Sequence, residues 1–122
     1  MKELTRAESQ VMQILWRLEK GFVNDVIEAL PKPKPAYNTV STIIRILEKK
    51  GFVAHKSYGK THEYYPLVSR SQYTRFYLNN LVSGYFEGSF QSLVSFFAEN
   101  DLATHEIDEL MTHLKKIKKN KS

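Results

Sequence analysis

Apolar residues recur along the first part of the chain with helical period. Leu4, Ala7, Val11, Ile14, Leu15 and Leu18 recur with helical spacing, which predicts an amphipathic helix. Thr5 and Glu8 have the spacing of a capping box, in which each side chain satisfies a backbone N–H at the helix start. Gly21 is the expected stop, since glycine takes the left-handed conformation cheaply. Val23, Val26, Ile27 and Leu30 predict a short second helix over residues 22–30, and Pro31, Pro33 and Pro35 end it. A third helix is expected over residues 36–50. Its core stripe is Val40, Ile43, Ile44 and Leu47, so Thr39, Ser41, Thr42 and Arg45 should face outward. Gly51 stops this helix, and the string GFV follows both expected stops as a shared capping device.

The period then changes from about 3.6 to two. Residues 52–57 and 61–66 read as strands, joined by a short turn of Tyr58, Gly59 and Lys60. Ser69 and Gln72 form a second capping box and open a helix over about residues 71–83. Beyond it the apolar positions become aromatic. Helices are expected to about residue 85, over 89–99 and over 104–118. Three helices cannot easily bury this many aromatics among themselves. A second copy would cover them, which predicts a homodimer formed through Tyr73, Phe76, Tyr77, Leu81, Phe90, Leu93, Val94 and Phe97. In the competing arrangement these helices fold back on the first domain as a monomer. The expected fold is mainly α with a small β-hairpin. Residues 1–68 form a winged helix-turn-helix domain and residues 69–122 a three-helix dimerisation domain.

A length of 122 residues suits that division. No apolar run approaches the ~18 residues of a membrane span, and MKELTRAESQ lacks a signal peptide's apolar core. A cytoplasmic protein without direct membrane association is the expectation. The chain has no cysteine, which excludes disulfides and thiolate metal sites. His55, His62, His105 and His113 lack the spacing of a helical metal site. His55 and His62 could approach across the hairpin, a weak case for a metal. No serine lies in a GxSxG context and no glycine loop is built to cradle phosphate, so neither an enzyme nor a cofactor is expected.

Charge turns the shape into a function. The net charge is +5, but residues 32–62 hold Lys32, Lys34, Arg45, Lys49, Lys50, Lys56 and Lys60 against the one acid Glu48. Such a local concentration suits a phosphate backbone. A helix followed by a basic β-wing is a duplex-DNA shape. Tyr37, Asn38, Thr39, Ser41, Thr42 and Arg45 occupy the first turns of the third helix, with Lys56, Tyr58 and Lys60 on the wing. Asn38 could pair with adenine, Thr39 or Thr42 could touch a thymine methyl or a phosphate, and Arg45 could reach guanine. The wing lysines would add salt-dependent affinity without specificity. Each residue also has a structural alternative: Asn38 or Thr39 as a cap, Arg45 as the partner of Glu48.

LTRAESQVMQILW, then AYNTVSTIIRILEKKGFVAHKSYGKTHEYYPLV, then GSFQSLVSFFAENDLATHEIDEL together resemble the penicillinase-repressor family, the BlaI, MecI and CopY group of bacterial transcription regulators. The resemblance covers nearly the whole chain. It implies a winged-helix homodimer on a dyad-symmetric DNA operator, acting as a transcriptional repressor. In the β-lactam branch, it implies relief by a membrane sensor-protease that cuts in the helix equivalent to residues 91–100. The matching bond is Ser95–Phe96, where Ser95 replaces the asparagine that precedes phenylalanine in well-known members. The copper branch ends in a cysteine motif, whereas this chain ends KKIKKNKS. Two alternatives remain beside the repressor: a regulator binding a small apolar effector at the dimer interface, and a winged-helix protein-interaction module.

Overall fold

The computed structural model describes residues 1–100 and, beyond them, 108–109, 112–113 and 115–116. The elements run α1 (Arg6–Leu18), α2 (Val23–Ala29), α3 (Tyr37–Lys49), β1 (Val53–Tyr58), β2 (Thr61–Pro66), α4 (Arg70–Tyr85) and α5 (Phe90–Glu99). The chain divides into two compact units, Met1–Tyr77 and Leu78–Ser122. The helix expected over 104–118 lies outside the described residues apart from the six just named.

In the first unit the capping box forms as the spacing predicts. The Thr5 hydroxyl accepts from the Glu8 N–H at 3.2 Å, and Glu8 Oε1 accepts from the Thr5 N–H at 2.9 Å. The helix stop differs from expectation. Glu19, not Gly21, carries the left-handed φ of 71°, and its N–H closes on the Leu15 carbonyl. Gly21 has another task. It exchanges two backbone hydrogen bonds with Tyr64, 2.9 and 2.8 Å, so a bridge residue lies beside the β-hairpin. The two GFV strings are therefore not equivalent: Gly51 has φ +86° and is a true left-handed stop, whereas Gly21 pairs with β2.

β1 and β2 are antiparallel, with Val53 opposite Pro66 and Tyr58 opposite Thr61. That register leaves a two-residue turn, Gly59-Lys60, in which Gly59 takes φ +63°. The core combines Val11, Met12, Ile14 and Leu15 of α1, Val23 and Val26 of α2, Val40, Ile44 and Leu47 of α3, and Phe52, Val53 and Tyr64 around the hairpin. Strict alternation fails at the start of β1, where Phe52 and Val53 are both buried. Ala7 and Leu18, expected on the buried stripe of α1, are exposed, while Glu8 is buried.

Buried Glu8 is matched by Lys50, whose Nζ lies 2.9 Å from both carboxylate oxygens. Burial raises the Glu8 pKa, but the Thr5 N–H and the Lys50 ammonium outweigh it and hold the carboxyl below its ordinary value. A carboxylate with a lowered folded-state pKa contributes stability above its unfolded value and loses it as pH falls through the folded one. Glu8→Gln should therefore destabilise the fold at pH 7 by about 1–2 kcal/mol. In urea titrations the gap to the parent protein should close as pH drops below the ordinary carboxylate range.

The start of α4 is tied to this core. Ser69 and Gln72 form the second capping box, with bonds of 2.8 and 3.0 Å. The Tyr73 hydroxyl accepts from the Leu4 N–H at 2.8 Å, and its ring lies 5.7 Å from Phe52 and 6.1 Å from Trp16. The Trp16 indole donates to the Val68 carbonyl at 2.9 Å. Tyr73, expected among the dimer-forming side chains, is thus part of the first unit's own packing. This packing lies within the unit that runs to Tyr77.

In the second unit, Ser89 caps α5 by accepting from the Ser92 N–H at 3.3 Å. No α5 residue is buried, and Tyr85, Phe90, Val94, Phe96 and Phe97 are all exposed. Among the described residues no helix is long and apolar enough to cross a membrane.

Candidate nucleic-acid interface

α3 begins without a side-chain cap: Ala36 is the N-cap residue. Asn38 and Thr39 lie inside the first turn, both exposed. The capping alternative for these two residues does not apply. At about 100° per residue, Asn38, Thr42, Arg45 and Lys49 share a narrow strip opposite the buried Val40, Ile44 and Leu47. Tyr37, half exposed, extends this surface at the helix start.

Ser41 departs from expectation. It is buried, and its hydroxyl accepts from Arg45 Nη2 at 3.1 Å. One helical turn separates the two residues, so Ser41 supports the guanidinium from below rather than facing outward. Arg45 does not pair with Glu48. The Glu48 carboxylate instead lies 2.6 Å from His55 Nδ1 on β1. The other α3 hydroxyl with an assigned partner is Thr42, which donates to the Asn38 carbonyl at 2.8 Å.

On the wing, Lys56 sits 5.4 Å from the Tyr58 ring centroid, and Tyr58 leans on Phe22 at 5.9 Å. These contacts hold one wing cation in place, while Lys60 is exposed at the turn. A cleft of about 620 Å³ joins the two halves of the surface. Phe22, Asn24 and Asp25 from the start of α2, Tyr37, Ser41 and Arg45 from α3, and Lys60, His62 and Tyr64 from the hairpin are among its lining residues. The structure thus brings Tyr37, Ser41, Arg45 and Lys60 around one hollow. Asn38, Thr39 and Thr42 lie on the neighbouring open face of α3, and Lys56 and Tyr58 on the wing.

The expected approach of His55 and His62 occurs: their rings stack at 4.0 Å with 5° between planes. Parallel imidazoles direct their nitrogen lone pairs side by side rather than toward one point, a poor arrangement for a shared ion. No cluster of three metal-binding side chains occurs among the described residues. Tyr64 lies under both rings, and burial followed by the Glu48 charge raises its phenol pKa, which keeps it neutral.

Two surface residues escaped the sequence reading. Asn24 lines the cleft near the Gly21–Tyr64 bridge, a long-range contact without local signature. Ile46 is 41% exposed on α3. Its signal was available, since it falls off the stripe of Val40, Ile43, Ile44 and Leu47.

Comparison with known proteins places the chain in a family. The family described as penicillinase repressor matches residues 4–116. The methicillin resistance regulatory protein MecI of Staphylococcus aureus strain N315 is 36% identical over 116 residues, 93% of this chain and 94% of its own length. The penicillinase repressor of Bacillus licheniformis is 31% identical over 121 residues, 98% of this chain and 94% of its own. Among solved structures, the DNA-binding domain of the repressor BlaI superposes with a TM-score of 0.51 at 31% identity. It covers 60% of this chain and 94% of that domain.

Proposed function

We propose, from the premise that this chain belongs to the penicillinase repressor family, that it is a DNA-binding transcriptional repressor that grips its operator through α3 and the β-hairpin. The observation that carries this is the exposed polar and cationic strip of Asn38, Thr42, Arg45 and Lys49 on α3, with Arg45 and the wing's Lys60 lining one cleft. α3 enters the major groove. Asn38, Thr39, Thr42 and Arg45 meet base edges or nearby phosphates, and Tyr37, Lys56, Tyr58 and Lys60 meet the backbone. Ser41 acts through Arg45 by fixing its guanidinium.

A binding-site selection from random duplexes, followed by gel shifts, tests the reading. Equal affinity for selected and scrambled duplexes would sink it. Arg45→Ala should relax base preference at one position per half-site, costing roughly 1–3 kcal/mol on the selected sequence. Lys60→Ala should weaken binding on every sequence and lower the slope of log affinity against log salt by about one.

The operator has dyad symmetry because the repressor is a homodimer, held through its second unit. In support, every α5 side chain keeps solvent exposure, and Tyr77, Phe90, Val94 and Phe97 offer apolar surface for a second copy. Phe76, Leu81 and Leu93 are partly buried. Relief of repression comes from a cut within α5 at Ser95–Phe96 by a membrane sensor-protease responding to β-lactams. Both residues of that bond are exposed in α5, and the relatives are named for methicillin resistance and penicillinase repression. Mass spectrometry of the repressor from β-lactam-treated cells should find a new terminus there. An uncut chain in derepressed cells would exclude proteolysis.

A further inference from the structure

The exposed face of α3 carries an apolar residue that a phosphate-binding surface does not need. Ile46 is 41% exposed, although Ile44 and Leu47 beside it are fully buried. Its neighbours on the helix surface, three and four residues away, are the exposed Thr42, Lys49 and Lys50 and the partly buried Ile43, which packs against the core. A docking surface for another protein would be a continuous apolar patch, and Ile46 with only the core-packed Ile43 and two lysines beside it is not one. An apolar group in such surroundings suits a polyanion that itself displays methyl groups.

Thr42 adds an independent observation. Its hydroxyl donates to the Asn38 carbonyl at 2.8 Å, so its polar group is engaged within its own helix. With its proton engaged it has no donor left for a phosphate, and it presents its methyl group and an oxygen that can only accept. Thr42 and Ile46 are four residues apart and are therefore neighbours on one face. Arg45, by contrast, is anchored to Ser41 and lines the cleft on the wing side. Tyr37 and Ser41 lie on that same flank, whereas Ile46 falls on the other, close in angle to Thr39. The recognition surface is thus divided into a guanidinium flank and a methyl flank.

We infer that Thr42 and Ile46 read thymine 5-methyl groups in the major groove, so that each operator half-site carries thymines opposite this flank. The inference rests on the DNA-binding reading and deepens it by naming the chemistry that is recognised.

The test uses the full-length protein and the duplex it selects from a random pool. Each thymine is replaced in turn by deoxyuridine, which removes the 5-methyl group and leaves base pairing unchanged. The parent protein should lose about fourfold in affinity per half-site at one or two thymines, the worth of one buried methyl group. Ile46→Ala should be indifferent to one of these replacements. Thr42→Ser, which keeps the hydroxyl and removes only the methyl, should be indifferent to a neighbouring one. If every replacement costs the same in the parent and both variants, methyl reading is overturned while DNA binding stands. If the parent selects no sequence, the DNA-binding reading fails first and this inference falls with it.

Discussion

A fragment ending at residue 89 should stay folded and yet bind the operator at least a hundredfold more weakly than the full chain. The fragment keeps the whole first unit, Met1–Tyr77, and the whole of α4. Its core residues from Val11 to Tyr64 lie within that unit, and so does the Tyr73 anchor on Leu4, Trp16 and Phe52. The DNA-binding domain of the repressor BlaI, which matches 60% of this chain, was solved as a separate domain. The fragment loses α5 with its exposed Phe90, Val94, Phe96 and Phe97. On the dimeric reading, joining two half-site contacts is worth about 10²–10⁴ in affinity, and a monomer forfeits it. Circular dichroism would report the retained fold, sedimentation the lost dimer and a gel shift the lost affinity. Undiminished affinity of a monomeric fragment would refute the dimeric mechanism. A cut at Ser95–Phe96 should resemble this truncation in kind, since it divides α5.

The second large effect is on stability. Phe52→Ala should destabilise the first unit by about 3–5 kcal/mol. Phe52 is 1% exposed and is among the largest fully buried side chains. Its ring meets the edge of Tyr73, its N–H donates to the Leu47 carbonyl at 2.9 Å, and its carbonyl accepts from the Leu67 N–H at 2.8 Å. It therefore joins the end of α3, the wing and the start of α4. A loss of this size is a large fraction of a small domain's stability. The variant should fail to repress at 37 °C although no residue of α3 has changed. Urea denaturation of parent and variant gives the value directly, and a difference below about 1 kcal/mol would contradict the packing described. Tyr73→Phe is the matched control. It keeps the ring contacts, removes only the hydroxyl that accepts from Leu4, and should cost about 1 kcal/mol.

Much of the fold is legible in the chain because its signals are local. The Thr5–Glu8 and Ser69–Gln72 capping boxes need only a three-residue spacing, and both form. The core stripe of α3 follows from helical geometry, and Gly51 ends that helix through its own positive φ. The wing follows from a change of period and a glycine at the turn. The outward position of Asn38, Thr39, Thr42 and Arg45 needs nothing beyond the same periodicity.

Departures from that reading occur where a distant residue decides. Ser41 is the local exception: periodicity places it near the edge of the exposed face, yet it is buried and accepts from Arg45 one turn on. Gly21 looks like Gly51 in sequence, but β2 recruits it as a bridge and the stop moves to Glu19. Tyr73 resembles its aromatic neighbours in every local respect. Its assignment to the first unit depends on Leu4, Trp16 and Phe52, the first of them 69 residues away. Lys50, counted from sequence with the DNA-facing cations, is bound by Glu8 of α1. Sequence by itself determined the helices up to residue 99, the hairpin and the cationic face, because periodicity, capping and charge act over a few residues. Tertiary structure alone decided which equivalent-looking residues are working surface and which are support, because that choice is made by partners far away in the chain.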